Sequence, residues 1–199
     1  LYKELLNFCA LDLSSFYFDI RKDILYCDDF NSKKRKECIV VLNVILDCLL
    51  KWFAPIFVFT TDEIYSLVSK DKKNIHEYTF PTIPKKWENK ILDDKWRQLF
   101  KIKQEANVAI EKKRSSKEIG SSLEAELTIT TDNKNFELLE GIDLAEYFIT
   151  SKAEKIKSKN KEELKIKVTK SKGIKCPRCW KILDNKCFRC EKVVAEKIS

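Results

Sequence analysis

The sequence predicts a mainly α-helical chain: an antiparallel helix bundle, then a small α+β unit, then a C-terminal four-cysteine knuckle. Three observations carry this. With 3 Gly and 4 Pro in 199 residues, the chain is too poor in turn formers for a β-sandwich. Apolar residues recur at steps of three and four through the first half. The period then switches to two after Gly120, and two Cys-x-x-Cys pairs follow near the end. The expected domains are 1–117 (bundle), 118–172 (α+β) and 173–199 (knuckle).

Taken in order, Leu5, Phe8, Leu13, Phe16, Ile20 and Ile24 give the first helical face. Ile39, Leu42, Leu46, Leu49, Leu50 and Phe53 give a clearer second one, ended or kinked by Pro55. Asn43, Asp47 and Lys51 form a polar stripe on that helix, which makes it a packed amphipathic helix and not a membrane span. Thr60-Thr61-Asp62-Glu63 reads as a helix start leading to Ile64, Leu67 and Val68. The polar loop Lys70–Asn74 and Pro81 and Pro84 predict a surface connection. Asp93-Asp94 then opens a long helix with Trp96, Leu99, Lys103, Ala106 and Ile110 on one side.

Beyond Gly120, Leu123, Ala125, Leu127 and Ile129 alternate with polar residues, which predicts a half-buried strand. A short helix is expected around Phe136–Ala145 and a strand through Tyr147–Ile156. Leu164, Ile166 and Val168 alternate with Lys165 and Lys167 in a further strand. The stretch Lys152–Lys175 is rich in lysine.

The net charge of +8 is uneven. Ser151–Ser199 holds 16 basic against 6 acidic residues, and the rest holds 23 against 25. An excess confined to the last quarter points to a polyanionic partner, nucleic acid ahead of a membrane surface. A lysine-rich codon bias would explain it only if lysine were enriched throughout. Leu1 has no preceding Met and opens directly into a helical pattern, with no secretory signal in view, so a piece of a longer chain is expected.

The knuckle reads Cys176-x2-Cys179-x7-Cys187-x2-Cys190. Two such pairs can offer four thiolates to one tetrahedral zinc ion. In a tail of so few apolar residues, binding the ion would largely be the act of folding. A closed four-thiolate site has no open position for water, so the zinc is expected to be structural. Basic and aromatic residues beside it (Arg178, Trp180, Lys181, Phe188, Arg189) suit phosphate contact and base stacking. An equal reading of Trp180 and Phe188 is a miniature core over the metal. The other cysteines, Cys9, Cys27, Cys38 and Cys48, lack paired spacing and read as small apolar residues. His76, the only histidine, receives no role. No Gly-rich phosphate loop, nucleophile elbow or partnered carboxylate pair is present, and no catalytic residue is assigned.

Four stretches carry a family resemblance. Leu13–Asp28 (LSSFYFDIRKDILYCD) and Leu49–Tyr65 (LLKWFAPIFVFTTDEIY) resemble the anticodon-binding helical domain of bacterial-type isoleucyl-tRNA synthetases. Tyr65 stands where that family usually has Trp. Lys117–Leu127 (KEIGSSLEAEL) resembles the family's junction, and the terminal Cys-x-x-Cys-Trp with its partner pair resembles its finger. The matches come in family order, although the seven-residue gap between the Cys pairs is shorter than the family commonly shows. The family's His-Ile-Gly-His and Lys-Met-Ser-Lys-Ser signatures are absent, as are its editing residues.

The resemblance implies a cytoplasmic, monomeric parent ligase that activates isoleucine with ATP, of which this chain is the C-terminal tRNA-binding part. Its partners would be isoleucine tRNA and the parent's own catalytic and editing domains. Expected tRNA contacts are Arg21, Lys22, Arg114, Lys117, Arg178, Trp180, Lys181 and Arg189. For each charged residue, an ordinary solvated side chain is the competing reading. Ser121 and Ser122 read as turn chemistry beside Gly120. Two other classes stand beside this one: a repair or transcription accessory using the finger on duplex DNA, and a purely structural zinc module.

Overall fold

A computed structural model describes residues 1–70, 73–158 and 164–198. Residues 71–72 of the polar loop and 159–163 of the lysine-rich stretch lie outside the described residues, as does Ser199. The chain divides into two compact units, Leu1–Asp12 with Asp29–Glu88, and Leu13–Asp28 with Asn89–Ser199.

The first unit holds α1 (Tyr2–Asn7), α3 (Lys33–Phe53) and α4 (Val58–Val68). Between α1 and α2 (Asp19–Cys27) the chain winds with the wider π spacing over Phe8–Phe18. Ser32 caps α3 by accepting from the Arg35 amide. Pro55 falls in the turn after Phe53, as its ring and missing N–H require. Asp47 and Lys51 of the polar stripe pair at 2.8 Å. Leu50, Ala54, Tyr65 and Ile75 close a small core. The helix expected to start at Thr60 begins at Val58 instead. The reason is local: the turn through Pro55 runs straight into it, and the Thr61 hydroxyl donates back to Phe57 O (2.9 Å) instead of capping. Asn74 caps the short turn Ile75–Glu77 with a reciprocal Glu77 bond, and His76 Nε2 donates to Val58 O at 3.2 Å.

The second unit is built on α5 (Lys90–Ser115) and a three-stranded sheet of β1 (Ala125–Thr131), β2 (Lys152–Lys157) and β3 (Lys165–Lys170). β1 is central, parallel to β2 and antiparallel to β3, with Leu127 opposite both Ala153 and Val168. Asn89 caps α5, so the helix starts before the Asp93-Asp94 pair. Leu99, Ala106 and Ile110 of α5 share one core with Leu127, Ile129 and Val168. Phe16 and Ile20 pack against the same core.

The single helix expected at Phe136–Ala145 is two: α6 (Asn133–Leu138) and α7 (Leu144–Tyr147), parted at Gly141 with φ +73°. The strand expected from Tyr147 starts only at Lys152. Tyr147 and Phe148 end α7 and are buried, so their apolarity serves the core without strand pairing. The chain closes with β4 (Ile174–Lys175), β5 (Ile182–Leu183) and α8 (Phe188–Ile198).

Candidate functional site

The four knuckle cysteines converge. Their sulfur atoms all lie within 4.8 Å of one another. Cys176, Cys179 and Cys190 are buried and Cys187 is partly so. The first pair sits on a tight turn in which Trp180 N donates to Cys176 O (3.0 Å) and Cys176 N to Lys181 O (2.9 Å). The second pair opens α8. Gly173, at φ +132°, permits the β4–β5 ribbon: a Cβ there would meet Leu183 O at 2.2 Å.

The thiols do not share one acidity. Burial works to raise Cys176, but amide hydrogen bonds from Cys179 and Arg178 bring it to about 7. Burial and the neighbouring sulfurs raise Cys179 and Cys190. Four thiols this close cannot all ionise against one another, so a bound cation is what would make them a set of thiolates. The cluster can hold a metal ion.

The knuckle is fastened to α2. Arg178 donates to Cys27 O (2.6 Å) and Tyr26 O (2.8 Å), satisfying carbonyls of the last helical turn. Arg189 grips both oxygens of Asp23 (2.7 and 2.8 Å) and reaches Asp28 (2.9 Å). Lys181 lies 3.6 Å from Asp23. Burial works to raise the Asp23 carboxyl, but Arg189 and Lys181 outweigh it and hold it below its usual value. Cys27 packs against Cys176, Cys179 and Cys190. A second set of bonds ties the knuckle to the sheet: Lys152 to Asp184 (2.8 Å), Lys175 to Glu124 (3.3 Å) and Ile182 N to Ser151 Oγ (2.6 Å).

The expected contact residues therefore differ in kind. Arg178, Lys181 and Arg189 are engaged within the fold. Arg21 pairs with Glu146, Lys22 with Asp19 (3.0 Å) and Arg114 with Glu111 (2.9 Å). Lys117 is exposed at φ +59°, where it closes the end of α5 as the Glu118 amide bonds back to Lys113 O. Trp180 is 61% exposed.

Several of them share one surface. A pocket of about 380 Å³ lies between α2 and the knuckle, with Lys22, Ser122, Arg178, Trp180 and Lys181 in its lining. A second cavity of about 460 Å³ shares Asp19, Ser122 and Ile149 with it and extends to Arg114. A third, of about 310 Å³, shares Arg114 and reaches Lys117. Arg21 lines none of these three. The surface thus runs as a chain of cavities from the knuckle to the junction.

Lys103 lines the second cavity and had no assigned role. Only 5% of it is exposed, its Nζ donates to Tyr147 O (2.5 Å), and burial pushes it down to about 8. Asp23, Asp28 and the carbonyls of Tyr26 and Cys27 were likewise unassigned, and no local sequence signal pairs them with residues so far along the chain. Ile149 was also missed; its φ of +57° is exceptional for a β-branched residue.

The family model described as the anticodon-binding domain of tRNA ligases matches residues 1–129. The isoleucine–tRNA ligase of Pelagibacter ubique is 54% identical over 189 residues, covering 95% of this chain and 21% of that protein. Those of Methylacidiphilum infernorum and Agrobacterium fabrum are 41% and 36% identical, each across 90% of this chain. The chain spans about a fifth of the length of these relatives. Among the described residues, no helix is long and apolar enough to cross a membrane.

Proposed function

Because this chain belongs to the family of anticodon-binding domains of tRNA ligases, we propose that it is the C-terminal tRNA-binding part of an isoleucine–tRNA ligase. Its role is positioning. It grips the anticodon arm of isoleucine tRNA so that the acceptor end reaches catalytic and editing domains elsewhere in the parent chain. The parent is a cytoplasmic, monomeric ATP-dependent ligase, and no catalytic residue lies in this part. The work divides among the bundle (1–117), the α+β unit (118–172) and the knuckle (173–199).

The observation that carries this reading is the 54% identity that runs across nearly the whole chain and into the knuckle. The chain of cavities supports it, because it gathers Lys22, Arg114, Lys117 and Trp180 from three separate segments. Phosphate contacts from such cations set affinity, and stacked bases set identity.

The knuckle's ion is a single structural zinc. A tetrahedron of zinc–sulfur bonds near 2.3 Å has edges of roughly 3.8 Å, and Cys179 and Cys187 sulfurs stand 3.9 Å apart. All-thiolate donation also suits zinc over harder cations. Zinc here would hold the knuckle closed, while Arg178 and Arg189 hold the closed knuckle on α2.

The test is a titration of the zinc-loaded chain with isoleucine tRNA, a non-cognate tRNA and duplex DNA at two salt concentrations. A preference for isoleucine tRNA that persists at the higher salt is expected. Equal, steeply salt-dependent binding to all three would reduce the role to non-specific charge.

A further inference from the structure

Among the described residues, three non-glycine residues have left-handed backbone: Lys117, Ile149 and Trp180. Two of them, Ile149 and Trp180, line the pocket between α2 and the knuckle. Side chains crowd the backbone in this conformation, and glycine would occupy either position without that cost. Such residues persist only where the surroundings hold them, and they gather at ligand sites.

Trp180 is the more telling of the two. It follows the second cysteine of a tight turn, where the backbone alone would favour glycine. Burial does not offset the steric cost, since most of the indole is exposed. What the side chain does gain is a place on the wall of the pocket. The rest of that wall is largely carbon, from Ile20, Leu123, Ala145 and Ile149. Its polar residues are Tyr26, Ser121, Ser122, the carboxylates Asp19, Asp23 and Glu146, and the cations Lys22, Arg178 and Lys181, of which Lys22 is well exposed. A flat apolar face, hydroxyls and carboxylates that can meet a base edge, and an exposed cation match an unstacked nucleobase with its phosphate outside.

We propose that this pocket receives one nucleobase of a single-stranded RNA loop, stacked on the Trp180 indole, with its phosphate against Lys22. The inference rests on the tRNA-binding reading above and specifies where one base goes. Ile149 adds apolar lining to the same pocket, and the bonds from Arg178 to the end of α2 tie the Trp180 turn to that helix.

The experiment uses the zinc-loaded chain with the anticodon stem-loop of isoleucine tRNA as probe. Affinity by fluorescence anisotropy, intrinsic tryptophan quenching, melting temperature and bound zinc are measured for wild type, Trp180→Phe and Trp180→Gly. Trp180→Gly is expected to bind about tenfold more weakly or worse, while keeping its zinc and melting no lower than wild type, because glycine removes the backbone crowding. Trp180→Phe is expected to bind with an intermediate loss and to abolish the quenching, which identifies the indole among the 4 tryptophans. Unchanged affinity in Trp180→Gly, with wild type binding, overturns the base pocket and leaves the tRNA-binding reading standing. A lowered melting temperature with loss of zinc makes Trp180 a structural residue of the knuckle and also overturns it. Absence of stem-loop binding by wild type overturns both.

Discussion

Lys103→Met isolates the energetics of a charge held inside the second unit. The lysine lies on the α5 face that packs on the sheet, and burial lowers it from 10.5 to about 8 despite the opposing pull of Asp19. A displacement of that size corresponds to about 3 kcal/mol between the charged and neutral forms. The sign follows from proton counts. Below about pH 8 the lysine is protonated in both folded and unfolded chains, and the cost is fully present. Between about 8 and 10.5 the unfolded chain holds a proton that the folded one has released, so stability rises with pH. Above that range the cost is gone.

Methionine keeps the stem but has neither the charge nor the hydrogen bond to Tyr147 O. At pH 7 the variant is expected to match or exceed wild type, since relief of desolvation offsets a charged hydrogen bond of about 1.5–3 kcal/mol. The difference between the two stability curves is the cleaner quantity, because other titrating groups cancel. Urea denaturation from pH 7 to 10.5 is expected to show wild type gaining about 3 kcal/mol on the variant. Parallel curves would refute the reasoning and mean that the ammonium keeps its ordinary hydration.

Other outcomes follow from the knuckle and its latch. Arg189→Met leaves Asp23 and Asp28 without their shared cation and is expected to destabilise the second unit by about 2–4 kcal/mol, less than a fully buried pair because the site is partly exposed; urea midpoints check it. Because Asp23 is held below its ordinary 3.8, its contribution is present above that pH and fades as the pH falls through its folded value; acid denaturation of Arg189→Met is expected to lack that component. Chelation of the metal is expected to release amide protection in the knuckle and in the last turn of α2, while the α5–sheet core stays protected; hydrogen exchange reads both. Gly173→Ala forces a Cβ onto Leu183 backbone and is expected to cost at least about 2 kcal/mol and to weaken metal retention, measured by a chromogenic zinc indicator.

Local patterns were legible in the sequence wherever a local rule decides the outcome. Alternation at Ala125, Leu127 and Ile129 marked the central strand, and their burial follows it. Cys-x-x-Cys spacing marked the four sulfurs that converge. Periodicity also marked the apolar side of α5, with Lys103 already out of character on it. What periodicity does not contain is the partner of a face: that α5 shares a core with β1 and β3 is decided by tertiary packing. Tyr147 and Phe148 read as strand because apolar aromatics favour both strands and cores. At the candidate site, the type of the basic residues was legible and their engagement was not. Arg189 and Asp23 stand 166 residues apart, and no local feature announces that pairing.

That separation sets an order of events during synthesis. The second unit is assembled from Leu13–Asp28 and Asn89–Ser199, with Asp29–Glu88 intervening. Helix α2 leaves the ribosome first, and its cation follows 166 residues later, on the order of ten to thirty seconds at typical elongation rates. Throughout that interval Asp23 and the Tyr26 and Cys27 carbonyls lack the arginines that meet them in the folded chain. A nascent chain halted before Cys176 keeps them so, and the last turn of α2 is expected to stay open to proteolysis while the α5–sheet core forms. The knuckle therefore also certifies that translation has passed through it: only a chain read that far, and supplied with its ion, acquires the latch.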